Sequence, residues 1–330
     1  MNGSLFGSNG PQFTDVRQGQ EGDCWLLASL AEVAARNSSY IRNMFSYVGT
    51  EMENGVSVGL YSVRFFDTSN VSRYVTVDTE LPQGGGYYDQ VFNGSLWVAL
   101  AEKAYAQANA KGYVTTFHAG VDSYDALGNT GGIPSWALHT ITGLSASNFA
   151  FSPSNIATAW NQGKFIVLGT GNPTSSYIVG GHAYAVVGYN ASSSMPFEEF
   201  NPWGAGSTGY VWNNSSKYGL FWANASFISQ NFTSLFHTGA GIETDGVGSG
   251  VLQVAAGASA AQHAIVNRTM PALTIATEEL ANESHHSAFD SWNTSHQLDH
   301  TDSLELNVPS TSAWEVAFNS LSEELFSQVA

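Results

Sequence analysis

Apolar residues recur at intervals of three and four at Leu26, Leu27, Leu30, Val33 and Ala34, which predicts a helix from about Cys24 to Arg36. Asp23 is a residue type suited to cap it. The period then drops to two: "GVSVGLYSVRFFD" and "SRYVTVDTELP" alternate around a "DTSN" turn and predict a β-hairpin. After a glycine-rich loop, "PQGGGYYDQVFNG", the helical period returns in "SLWVALAEKAYAQAN", set by Leu96, Ala99, Leu100, Lys103 and Ala104. Ser95 is its candidate cap. "GIPSWALHTITG" predicts one more helix.

From about residue 163 the pattern changes to short strand-like runs, "KFIVLGTG", "GGHAYAVVGYN", "FEEFNPWG" and "SKYGLFWANASFISQNF", punctuated by glycine and asparagine. They predict an antiparallel sheet or barrel. The expected class is α+β: a helical lobe over about 1–150, a β lobe over about 151–238, and a cleft between them. Residues 239–330 show neither period; they read as a low-complexity, partly disordered acidic tail, closed by an amphipathic segment "TSAWEVAFNSLSEELFSQV".

Composition narrows the function classes. Hydrophobic residues make up 43 % of the 330, enough for a sizeable core. Acids outnumber bases 27 to 10, for a net charge of −17, so nucleic-acid binding is not expected, since phosphate contacts need clustered Lys and Arg. No apolar run reaches the roughly 18 residues of a membrane span, and "MNGSLFGSNG" lacks the regions of a signal peptide, so a soluble chain is expected. The tail histidines His285, His286, His296 and His300 fit no zinc spacing.

Cys24 is the only cysteine, so an internal disulfide is excluded. Lone cysteines are usually buried as small hydrophobes. Cys24, however, falls in the first turn of its predicted helix, where free backbone N–H groups and the helix dipole favour a thiolate. Gly19 and Gly22 upstream allow the backbone to approach a ligand closely. A thiol hydrolase also needs a base, a group to orient the base, and donors for an oxyanion. His182, in "GGHAYAVVGY", is the candidate base, with Tyr184 and Val186 on its face of the strand. Asn201, in "FNPWG" 19 residues later, is the candidate orienter, with Trp203 placed to shield the pair from water. Gln18, six residues before Cys24, is the candidate oxyanion donor beside the Cys24 N–H.

Six stretches in order, "QGQEGDCWLLASL", "RYVTVDTELP", "SLWVALAEKAYAQ", "SYDALGNTGG", "HAYAVVGY" and "NPWG", resemble the protease core of calpains, papain-related cysteine proteases. The resemblance covers about residues 13–236. It implies a papain-like fold and a cysteine endopeptidase acting on protein or peptide substrates, with Cys24 as nucleophile, His182 as general base and acid, Asn201 as orienter and Gln18 in the oxyanion hole. It also implies calcium regulation: Asp15 matches an acidic calcium-binding position of the family, and Asp125 stands where the family has Glu. After "NPWG" the acids of a second site are missing, so at most one calcium site and no organic cofactor are expected. No EF-hand loop occurs. The competing expectations are a calpain-like scaffold without turnover and a papain-like acyl transferase.

Overall fold

The computed structural model describes residues 3–239, apart from 82–88, 90, 92–93, 129–130 and 206–216. The glycine-rich loop falls largely outside the described residues, and the tail with its terminal segment lies outside them apart from residue 239. The predicted first helix, α1, runs Cys24–Arg36. Its residues Cys24 to Ala34 are all buried, so the apolar stripe is widened by Cys24, Ala28, Ser29, Ala31 and Glu32 into a helix enclosed on every side. Enclosure requires its polar side chains to find partners. Ser29 Oγ donates to the Trp25 carbonyl at 2.8 Å, and Glu32 Oε1 accepts from the Ile166 N–H at 2.9 Å.

Asp23 occupies the N-cap place, but its side chain caps nothing and turns inward instead. The second cap also differs from expectation. After a short helix α2 (Ser38–Arg42), helix α3 runs Trp97–Ala110 with Leu96 at the N-cap place. Ser95 Oγ donates at 3.2 Å to Asp15 Oδ2, because a buried carboxylate competes for the hydroxyl.

The hairpin forms as β2 (Val56–Phe66) and β3 (Ser72–Asp78), antiparallel with Phe66 opposite Ser72. Asp67 closes the turn, its Oδ1 accepting from the Ser69 and Val71 N–H groups at 2.9 Å. A third strand, β1 (Phe45–Glu53), pairs with β2 and was not legible in the sequence. Only Phe45 of it is buried, so it carries no alternation to read. Helices α4 (Asp125–Gly128) and α5 (Pro134–Thr142) follow; α5 opens on Pro134 and ends at Gly143 in the left-handed region, φ 74°.

The second half is an open antiparallel sheet of six strands, in the order β4, β9, β5, β6, β7, β8. These are β4 (Ala146–Phe149), β5 (Ile166–Gly169), β6 (Ala183–Tyr189), β7 (Phe197–Phe200), β8 (Leu220–Ala223) and β9 (Ser234–Thr238). One expected strand run divides: after β8, "ASFISQN" is helix α7 (Ala225–Asn231), because Asn224 Oδ1 caps it by accepting from the Phe227 N–H at 2.8 Å. Helix α6 (Pro153–Asn161) is capped likewise by Ser152.

The alternation of β6 divides the core. Ala183 and Ala185 pack toward α1, α3 and α5, with Leu27, Leu30, Trp97 and Leu138. Tyr184 and Val186 pack toward α6 and α7, with Ile156 and Ile228. Helix α1 therefore lies along β6 and brings its first residue to the start of that strand. Truncating Leu27 or Leu30 in this core to alanine costs about 2–5 kcal/mol.

Candidate active site

His182 ends the loop that enters β6. Its backbone is clamped by Thr170, whose Oγ1 accepts the His182 N–H at 2.9 Å and whose N–H donates to the His182 carbonyl at 2.9 Å. The ring is 5.3 Å from Tyr184, edge-on, and 5.3 Å from Trp203. His182 Nε2 lies 2.9 Å from Asn201 Oδ1.

Asn201 is itself fixed from both ends. Its Nδ2 donates to the Tyr218 carbonyl at 3.2 Å, and its Oδ1 accepts the Trp203 N–H at 3.0 Å. A carbonyl and an N–H on opposite sides leave one orientation of the amide. Because Oδ1 can only accept, the histidine Nε2 carries the proton and Nδ1 keeps its lone pair for a base.

Cys24 is 3 % exposed. Backbone N–H groups of Ala183, Trp25 and Cys24 itself favour its charged form, which places the sulfur against the start of β6, one residue from His182. Burial is the larger cause and Asp23 adds to it, so the thiol is pushed up to about 12. Burial also lowers His182 to about 4, against the opposing hydrogen bond to Asn201. Removal from water thus works against the thiolate that the helix N-terminus favours, and against the imidazolium.

Gln18 is tied into the same corner, its N–H donating to the Pro202 carbonyl at 2.9 Å. Its Nε2 donates to the Glu21 carbonyl at 2.7 Å and to Asp23 Oδ1 at 3.3 Å, so both side-chain N–H groups are engaged. Gly22 makes its close approach to backbone: a Cβ there would lie 2.5 Å from the Gly128 carbonyl oxygen.

The calcium candidates sit in different surroundings. Asp15 is buried, and its Oδ2 accepts from Trp97 Nε1 at 2.7 Å, the Gln12 N–H at 3.0 Å and Ser95 Oγ, a structural tie among neutral donors. Asp125 is exposed on α4, and its charge acts on Glu21. Among the described residues one group of three acids lies close enough to share an ion, Glu53, Asp78 and Glu80, and Lys103 Nζ already sits on both Asp78 oxygens at 2.8 and 2.9 Å.

The profile of the calpain family cysteine proteases matches residues 2–226. The chain belongs to the calpain family. It is 26 % identical to the calpain-1 catalytic subunit of Mus musculus over 275 residues, 71 % of this chain and 36 % of that protein. The calpain-1 catalytic subunit of Homo sapiens is 27 % identical over 69 % of this chain and 35 % of its own length. The calpain-2 catalytic subunit of Gallus gallus is 28 % identical over 64 % and 31 %. The chain thus spans about a third of the length of the curated relatives it matches. No helix among the described residues of this calpain-family chain is long and apolar enough to cross a membrane.

Several groups around the site had no sequence signal. The Tyr218 carbonyl and the Ala183 N–H act through backbone, which any residue supplies. Glu102 lay in the predicted α3 and was not among the candidate residues. Its flanking Ala101, Ala104 and Tyr105, all buried, are the one local hint that the helix has no solvent face there.

Proposed function

We propose that the chain is a cysteine endopeptidase in which Cys24 is the nucleophile, His182 the general base and acid, and Asn201 the orienter. The observation that carries this reading is the fixed Asn201 amide, which leaves His182 Nδ1 as the basic nitrogen beside the start of β6, where the Ala183 N–H meets the Cys24 sulfur.

In the reaction His182 Nδ1 takes the Cys24 proton as the sulfur attacks the substrate carbonyl carbon. The oxyanion draws on the Cys24 N–H and on a Gln18 N–H released from Asp23. Collapse breaks the C–N bond, and the leaving amine takes the proton from His182. Water, deprotonated by the same nitrogen, then hydrolyses the thioester and restores the thiol. Burial works against both charged forms, which favours general-base transfer over a standing ion pair as the first step. No step in this scheme runs through Asp15 or Asp125.

Hydrolysis of a denatured protein substrate by the full chain, lost in Cys24→Ala, tests the reading. Amide formation with an added amine in place of hydrolysis would point to the acyl transferase. Absence of both, with a folded chain, would point to the scaffold.

A further inference from the structure

The scheme leaves a group of buried carboxyls unused beneath the nucleophile. Asp23 is 0 % and Glu102 is 1 % exposed, and their carboxyl groups are in hydrogen-bonding contact. Two ionised carboxylates have no hydrogen to share, so such a contact requires one proton between them. Asp23 Oδ2 meets no N–H or hydroxyl donor among the described residues, which leaves it free to take the proton of Glu102. The rest of the network is arranged around that proton. Glu102 Oε2 accepts the Asp89 N–H at 2.9 Å, and Asp89 Oδ1 accepts the Arg17 N–H at 2.7 Å. Asp23 Oδ1 accepts Gln18 Nε2 at 3.3 Å, while the Asp23 carbonyl accepts the Leu26 and Leu27 N–H groups that open α1.

We propose that Glu102 is a positioning residue: it carries the proton shared with Asp23, and that proton keeps Gln18 available to the oxyanion and the first turn of α1 in place. The inference rests on the protease reading above. The bond from Gln18 to Asp23 is long, as suits an acceptor whose charge is shared. Without the proton, Asp23 becomes a full anion beside a second one and holds the Gln18 N–H that the oxyanion needs.

The groups facing the pair make its proton hard to remove. Glu21 acts on Asp23 from the same loop, Asp89 acts on Glu102, and Asp15 and Arg17 act on Asp89. Asp125 of α4 acts on Glu21, and all of these except Arg17 are acids. Burial is the first cause that raises Asp23 to about 7 and Glu102 well above the carboxylate range; their neighbours' negative charge adds to it. The same charge on Asp23 disfavours the Cys24 thiolate.

The test is Glu102→Gln in the full chain, whose amide donates to Asp23 at every pH and whose carbonyl still accepts the Asp89 N–H. Wild-type kcat/KM on a peptide substrate is expected to fall about tenfold per pH unit above the titration of the pair, and the variant to remove that alkaline limb. Asp23→Asn, which keeps the acceptor for Gln18 and donates to Glu102, is expected to do the same. In both, Tm is expected to fall less than wild type between pH 6 and 9. Alkaline limbs and Tm profiles parallel to wild type in both folded variants would overturn the proposal, as would a uniform loss of activity at every pH, the mark of a merely structural role. A wild type without hydrolysis at any pH would overturn the protease reading alone, and the Tm comparison would still decide the shared proton.

Discussion

The two halves of the candidate site are held in different ways. His182 and Asn201 are fixed by uncharged groups: the Thr170 hydroxyl and N–H clamp one, while the Trp203 N–H and Tyr218 carbonyl fix the other, and none of these titrates. Cys24 and Gln18 are held by a loop whose side chains end on Asp23, Glu102 and Asp89, three buried acids. Geometry built from a sheet is indifferent to pH, whereas geometry built from carboxyls depends on where their protons are. The base half is therefore expected to stay formed over a range of pH in which the nucleophile half comes apart.

The largest effect lies at the centre of the nucleophile half: Cys24→Ala is expected to abolish hydrolysis with Tm nearly unchanged, because a small buried side chain is replaced by another of similar shape. Asn201→Ala is expected to lower kcat/KM about a hundredfold or more, since His182 loses both its orientation and its tautomer. If that variant keeps wild-type kinetics, the fixed base half is not what aligns the reaction. The acid limb of kcat/KM is expected near pH 4 rather than near 6.5, because His182 is lowered to about 4 and only its neutral form accepts the thiol proton. A limb near 6.5 would mean the ring is hydrated when the enzyme works.

Stability offers a smaller effect and a third acid region for contrast. Glu199 is completely buried on β7, neither carboxylate oxygen has a hydrogen-bond partner among the described residues, and Glu32 lies near enough to act on it. Burial raises Glu199 well above its ordinary range and Glu32 to about 8. The folded state thus holds more protons than the unfolded one above about pH 4.5, so stability falls as pH rises from there toward 8. Glu199→Leu is expected to stabilise the chain by about 1–3 kcal/mol at pH 8 and to flatten that slope, read by denaturant titration at pH 5 and 8. The smallest effect is calcium's: with Asp15 Oδ2 already held by three neutral donors, a chelator is expected to leave activity within about twofold. A large loss on chelation would show that an ion organises the nucleophile half after all.

Much of this arrangement was legible where side chains repeat with a period. Helix α1 begins and ends where Leu26, Leu27, Leu30 and Val33 predict, because burial on all sides leaves propensity and packing in agreement. The β2–β3 hairpin was legible for the same reason, with Asp67 supplying the turn chemistry. β1 was not, since its outward Tyr47, Val48 and Met52 break the alternation. Cap residues misled at Asp23 and Ser95 because both were drawn into a buried polar network that no local rule describes. Cys24, His182 and Asn201 stood out by residue type and spacing. Their desolvation did not, because burial is a property of the whole fold, and here it opposes the helix terminus that the sequence displays.

The decisive measurement is labelling of the full chain with a thiol-reactive peptidyl epoxide, read by intact mass, in wild type, Cys24→Ala and His182→Ala. One covalent adduct in wild type, none in Cys24→Ala and a severely slowed one in His182→Ala are the predicted results. A wild type that forms no adduct while folded, or one that labels at the same rate without His182, would contradict an activated Cys24 thiol.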